Sequence, residues 1–188
     1  MRLRTGAEMR VTGPADASAA VVCVNGGQGG EVAGTWSATL EWLVRGLAPR
    51  FPRLAFGEVK YRVKSWRRLE WCVDDACAAV ETVLGLAPWI PDRLDLDALR
   101  GRRLRVLHGT LDRSLPGIPG VSPAASRRGF DRPQALGVVG EYTLVRGALH
   151  GVALRVRRGR PVPLPRAAAW ARLVGDELAR FQAGPEGT

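Results

Sequence analysis

The stretch Leu104-Arg-Val-Leu-His-Gly-Thr-Leu-Asp112 constrains this chain more than any other. It reads as an apolar strand that turns at a glycine and delivers a carboxylate to its carboxyl end, which is the end where open α/β sheets keep their chemistry. A second short strand, Tyr142-Thr-Leu-Val145, is followed after a tight turn by Leu149-His150-Gly151. Asp112 and His150 are therefore the best acid and base pair in the chain. A buried carboxylate that orients an imidazole, with the imidazole activating a nucleophile, is two thirds of a catalytic triad.

The remaining segments fit the same class. Ala19-Ala-Val-Val-Cys-Val24 is a continuous apolar run of the kind that forms a strand buried on both faces. It ends in Asn25-Gly26-Gly27-Gln-Gly-Gly30, where backbone N–H groups can turn toward a phosphate or an oxyanion, or simply form a flexible turn. The spacing is not that of a dinucleotide fingerprint. A helix over 35–47 would place Trp36, Leu40, Leu43, Val44 and Leu47 on one face, with Pro49 and Pro52 closing it. Leu54 to Val59 reads as a strand, and Trp66, Leu69, Val73, Ala76 and Val80 recur at helical spacing after it. Residues 1–18 form an irregular or hairpin lead-in. Ser122 caps a short helix with Pro123 at its first position, and a last helix from about 165 to 181 turns Trp170, Leu173, Val174, Leu178 and Phe181 inward. Strand and helix alternate, which predicts an α/β fold: a mostly parallel sheet with helices on both faces, in a single domain over 1–188.

Composition narrows the function classes. At 188 residues with 46% hydrophobic content the chain can bury a sizeable core. No apolar run reaches the roughly 20 residues needed to span a bilayer, and the start lacks a signal peptide's apolar core, so the reading is cytoplasmic with no membrane partner. Cys23, Cys72 and Cys77 form neither a CxxC nor a Cys/His cluster, which predicts no metal site, no cofactor and no disulfide framework. The net charge is +10, and of the 28 basic residues only Lys60 and Lys64 are lysines. The arginines are scattered and are not interleaved with aromatics, so they read as a solvated surface and nucleic acid is not expected as a partner.

One junction breaks the pattern. The helix ending Ala76-Cys-Ala-Ala-Val-Glu81 runs straight into Thr82-Val-Leu-Gly-Leu-Ala-Pro-Trp89, which reads as another buried strand, with no Gly, Pro, Asn or Asp between them. Loops of about 2 to 6 residues normally separate such elements.

Taken together, these residues resemble the α/β-hydrolase family over nearly the whole chain. The resemblance is carried by the strand before Asn25-Gly26-Gly27, by Leu86-Ala-Pro-Trp89, by His108-Gly-Thr-Leu-Asp112 and by Leu149-His150-Gly151. It implies Asp112 as the acid, His150 as the base, backbone N–H groups near Gly26 and Gly27 as part of an oxyanion hole, and a small acyl substrate.

The family's nucleophile lies on a G-x-S-x-G turn ahead of the acid, and here the chain departs from it. Ser18, Ser37, Ser65, Ser114, Ser122 and Ser126 are all its serines, and none has that context. The expected place of the turn coincides with the broken junction at Glu81. A strand, its turns and a helix, about 25 residues, are missing there by this reading. The strand at Val21 to Val24 would then pair directly with Val83 to Leu86, or leave an open groove of unpaired backbone, and either predicts reduced stability. Cys23, Cys72 and Cys77 read as core cysteines rather than replacement nucleophiles, and His108 reads as a structural turn residue. The expectation is a hydrolase-like protein of weak or absent activity whose nucleophile is unknown; the alternative is a non-catalytic ligand- or anion-binding protein using the glycine loop. The sequence leaves the oligomeric state open.

Overall fold

The computed structural model describes residues 2, 7–24, 31–64, 82–86, 96, 99–113, 120–156 and 159–183. Asn25, Gly26 and Gly27, the helical stretch with Cys72 and Cys77, and the junction at Glu81 lie outside the described residues.

Two three-stranded sheets form the frame. In the first, β4 (Leu54–Lys60) is central, with β1 (Glu8–Thr12) antiparallel on one side and β2 (Ala19–Cys23) parallel on the other. In the second, β7 (Arg103–Gly109) is central between β6 (Thr82–Leu86) and β8 (Val139–Val145), all parallel. Two small antiparallel pairs are the other strands among the described residues: β3 (Val32–Ala33) with β5 (Val63–Lys64), and β9 (Ala153–Arg155) with β10 (Pro161–Pro163). Among the described residues β2 pairs with β4 and β6 with β7, so of the two arrangements the sequence allows, direct pairing of β2 to β6 is not the one formed. This also explains why β2, expected to be buried on both faces, is half-buried with Ala20 exposed: it is an edge of its own described sheet.

Packing joins the two sheets where strand pairing does not. Helix α1 (Ala38–Leu47) begins where the Ser37 hydroxyl accepts from the Leu40 N–H, and α3 (Ala167–Ala183) closes the chain. Both contribute to one apolar cluster that takes Leu54 and Phe56 from β4, Leu107 from β7 and Val145 from β8. On the other face of β7, Leu104 and Val106 pack with Phe130 of α2 (Pro123–Ala135) and with Val138. The α2 cap is the one the sequence predicts, Ser122 accepting from Ala125 N–H with Pro123 in first position. Phe181, expected inward, is 39% exposed. It lies in the last turns of α3, beyond Leu178, the last buried residue of that helix.

The arginine surface is partly spoken for. Arg10 forks onto both oxygens of buried Glu58 at 2.7 Å, stacks 4.6 Å from the Trp36 ring and reaches Glu41, which also takes Arg155 at 2.6 Å. That chain of charges ties β1 and β4 to α1 and to β9. Arg45, Arg105, Arg127 and Arg180 also have carboxylate partners.

Candidate functional site

The parallel order of β7 and β8 puts their carboxyl ends side by side, and the turns that follow are bonded to each other. Thr110 N–H donates to Val145 O, Leu111 N–H to Ala148 O, and Gly147 N–H to the Thr110 hydroxyl oxygen at 2.8 Å. Gly147 has φ +73°, a left-handed conformation that glycine adopts at no steric cost. Gly109 must also be a glycine, because a Cβ there would lie 2.6 Å from Leu149 O and nearer still to Ala148 O. These contacts carry Asp112 and His150 to one place.

Asp112 Oδ2 lies 2.9 Å from His150 Nδ1. The carboxylate is buried, while the imidazole side chain is 39% exposed, so a ligand can reach the base but not the acid. With Nδ1–H donating to the carboxylate, His150 presents the lone pair of Nε2, the arrangement that accepts a proton from a nucleophile. The loop carrying His150 is held from the opposite side: the Thr39 hydroxyl, in the first turn of α1, accepts from Val152 N–H at 3.1 Å. The sequence brings out Asp112 and His150, and the structure brings them together. Thr39 and Thr110 were missed. A hydroxyl that takes a backbone N–H 113 residues away leaves no pattern in sequence, although Thr110 does sit inside the motif that carries the acid.

His108, expected from the sequence as a structural turn residue, lies inside β7 instead, one residue before that strand ends. It is 0% exposed, its Nε2 lies 2.9 Å from Val121 O and 3.3 Å from Asp112 Oδ2, and its ring stacks on Tyr142. Burial pushes its pKa below the usual histidine range, with the Asp112 charge opposing that shift. The unfolded chain takes up a proton here near pH 6.5, whereas the folded chain resists it. Stability is therefore lost as the pH falls below about 6.5, at up to about 1.4 kcal/mol per pH unit, until the lowered folded-state pKa is reached. His108→Gln titrates nothing in this range, so the unfolding free energy of the native chain minus that of the variant should shrink from neutral toward mildly acidic pH. A difference that stays flat would show that folding does not perturb the His108 titration.

Cys23 ends β2 with its thiol pushed up to about 12 by burial, with the Glu58 charge adding to it. A thiol held in that form is a poor nucleophile. Among the described residues no group of three His, Cys, Asp or Glu side chains could hold a metal ion, and no helix is long and apolar enough to cross a membrane.

No protein-family model and no curated relative matches the chain. Fifteen chains of solved structure do. An alpha-beta serine hydrolase homologue from Coxiella burnetii superposes with a TM-score of 0.57 at 12% identity, over 92% of this chain and 91% of that one. An esterase from Thermogutta terrifontis with propionate bound gives a TM-score of 0.57 at 15% identity, over 97% and 92%. Esterase 2 of the same organism, phosphorylated by paraoxon, gives 0.56 at 16% identity, over 98% and 92%. At these identities the likeness is one of fold: the chain has an α/β-hydrolase-type fold.

Proposed function

We propose that this chain is a single-domain α/β-hydrolase-like protein derived from an acyl hydrolase, keeping Asp112 and His150 as acid and base but lacking the strand, G-x-S-x-G turn and helix that carried the nucleophile. The observation that carries this reading is the 2.9 Å contact between Asp112 Oδ2 and His150 Nδ1 at the carboxyl ends of adjacent parallel strands, in a fold shared with esterases. Two further facts support the loss. None of the six serines stands in a G-x-S-x-G context, and among the described residues β2 and β6 belong to separate sheets on either side of the junction at Glu81.

The chemistry follows from those parts. His150 Nε2 would take a proton from a hydroxyl nucleophile while Asp112 stabilises the imidazolium, and N–H groups near Gly26 and Gly27 would hold the developing oxyanion of a small acyl ligand. Without the nucleophile only binding and the oxyanion donors remain, and removing that residue from a serine hydrolase costs turnover about a million-fold. Ester hydrolysis is thus weak or absent.

Hydrolysis of a small activated ester by the native chain, beside His150→Ala, tests the proposal. Both should stay at background. Turnover by the native chain that the His150→Ala change abolishes would mean that a nucleophile is present and would overturn the loss.

A further inference from the structure

We propose that His108 is a positioning residue for Asp112: its Nε2–H, donated to Val121 O, packs the imidazole edge against Asp112 Oδ2, locks the carboxylate in the rotamer that faces His150 and thereby holds His150 as the Nδ1–H tautomer. The proposal rests on the reading of Asp112 and His150 as an acid–base pair.

The contacts close a ring. His108 Nε2 meets Val121 O at 2.9 Å, Val121 N–H donates to Asp112 Oδ1 at 3.0 Å, and Asp112 Oδ2 lies 3.3 Å from His108 Nε2. Both carboxylate oxygens are thus kept on their own side, Oδ1 by the Val121 N–H and Oδ2 by His150 Nδ1 with the His108 ring edge packed beside it. That matters because the terminal torsion of an aspartate is broad and roughly two-fold, and packing alone does not choose between its oxygens. The ring also needs Gly120, where a Cβ would lie 2.7 Å from Asp112 Oδ1.

The protonation state of His108 follows from its partner. A carbonyl oxygen only accepts, so Nε2 carries the hydrogen and Nδ1 is bare. Among the described residues Nδ1 is buried with no hydrogen-bond partner, which carries a desolvation cost. A side chain present only to fill space under Tyr142 would carry that cost for nothing. His108 is also sealed from solvent, which excludes it as the base itself. Its influence on chemistry runs through Asp112.

The chain has two histidines, so the 15N spectrum of full-length protein labelled at histidine assigns each ring by a single variant. At mildly alkaline pH native His150 should show Nδ1 protonated and Nε2 bare. In His108→Phe it should revert to the predominantly Nε2–H form of a free imidazole, and in His108→Gln, whose amide N–H can take the place of Nε2–H, the native pattern should return. A His108 with a merely structural role would lower the Tm of the Phe variant and leave the His150 pattern unmoved, and that result overturns the proposal. Native His150 already in the Nε2–H form would instead remove the acid–base reading, and this proposal with it. Should the Phe variant fail to fold, native His108 decides: Nε2 protonated with Nδ1 bare supports the ring, and the opposite tautomer breaks it.

Discussion

Gly109→Ala should destabilise the chain by about 3 kcal/mol or more, an effect out of proportion to one methyl group. At Gly109 β7 ends and the acid turn begins, and its Cα faces the backbone of the His150 loop. The added Cβ would lie 2.6 Å from Leu149 O and closer to Ala148 O, and neither can swing away as a side chain could. Relief requires moving one turn off the other. That breaks the Leu111 N–H bond to Ala148 O and the Thr110 N–H bond to Val145 O together, and with them the approach of His150 to Asp112. For a chain of this size about 3 kcal/mol lowers the Tm by about 6–12 °C. Gly46→Ala is the matched control, because Gly46 lies within α1 with nothing within 4 Å of the new Cβ. There the change should leave the Tm level or raise it by a few degrees, since alanine is the better helix former. A Gly109→Ala protein as stable as the native chain would mean that the two turns are not in register as described.

Much of this site was legible because its information is local. The apolar run Leu104 to Leu107, the glycine and the carboxylate three residues after it state a strand, a turn and a group at the sheet's carboxyl end, and the structure places them so. Ser122-Pro123 is equally local, and α2 starts there. What failed to show was set by partners distant in sequence. The apolar run at β2 announced burial but not which neighbour would supply it, and in the described residues one side of it has none. The β9–β10 hairpin went unseen because Pro161 and Pro163 argue against a strand, whereas prolines are admissible in a three-residue edge strand. The sequence reads His108 as a turn residue, whereas it is still in β7, because its spacing to Asp112 says nothing about direction. The turn folds residue 112 back onto residue 108, and Val121 closes the contact from a loop the spacing does not describe.

Trp170→Ala should be the most damaging substitution in the core, at about 3–5 kcal/mol, or a fall in Tm of about 6–20 °C. Trp170 is 1% exposed and belongs to the cluster that α1 and α3 build with Leu54 and Phe56 of one sheet and Leu107 and Val145 of the other. In a continuous sheet, backbone hydrogen bonds would help hold those strands together if the core loosened. Here no strand pairing among the described residues crosses from β2 to β6, so a void beside Trp170 opens at the seam and the remaining side chains have no ladder to hold them in place while they collapse. Against a typical total of about 5–15 kcal/mol, that is a third or more of the stability of many proteins. Trp170→Phe separates packing from polarity. Among the described residues the indole Nε1–H is buried without a partner, so replacing it forfeits no hydrogen bond there and removes a desolvated donor. The phenyl ring keeps most of the contact area, and the Phe variant should therefore lose well under half of what the Ala variant loses in denaturant-unfolding free energy. Equal losses would show that the indole N–H is bonded after all, and that the seam depends on a polar contact as well as on volume.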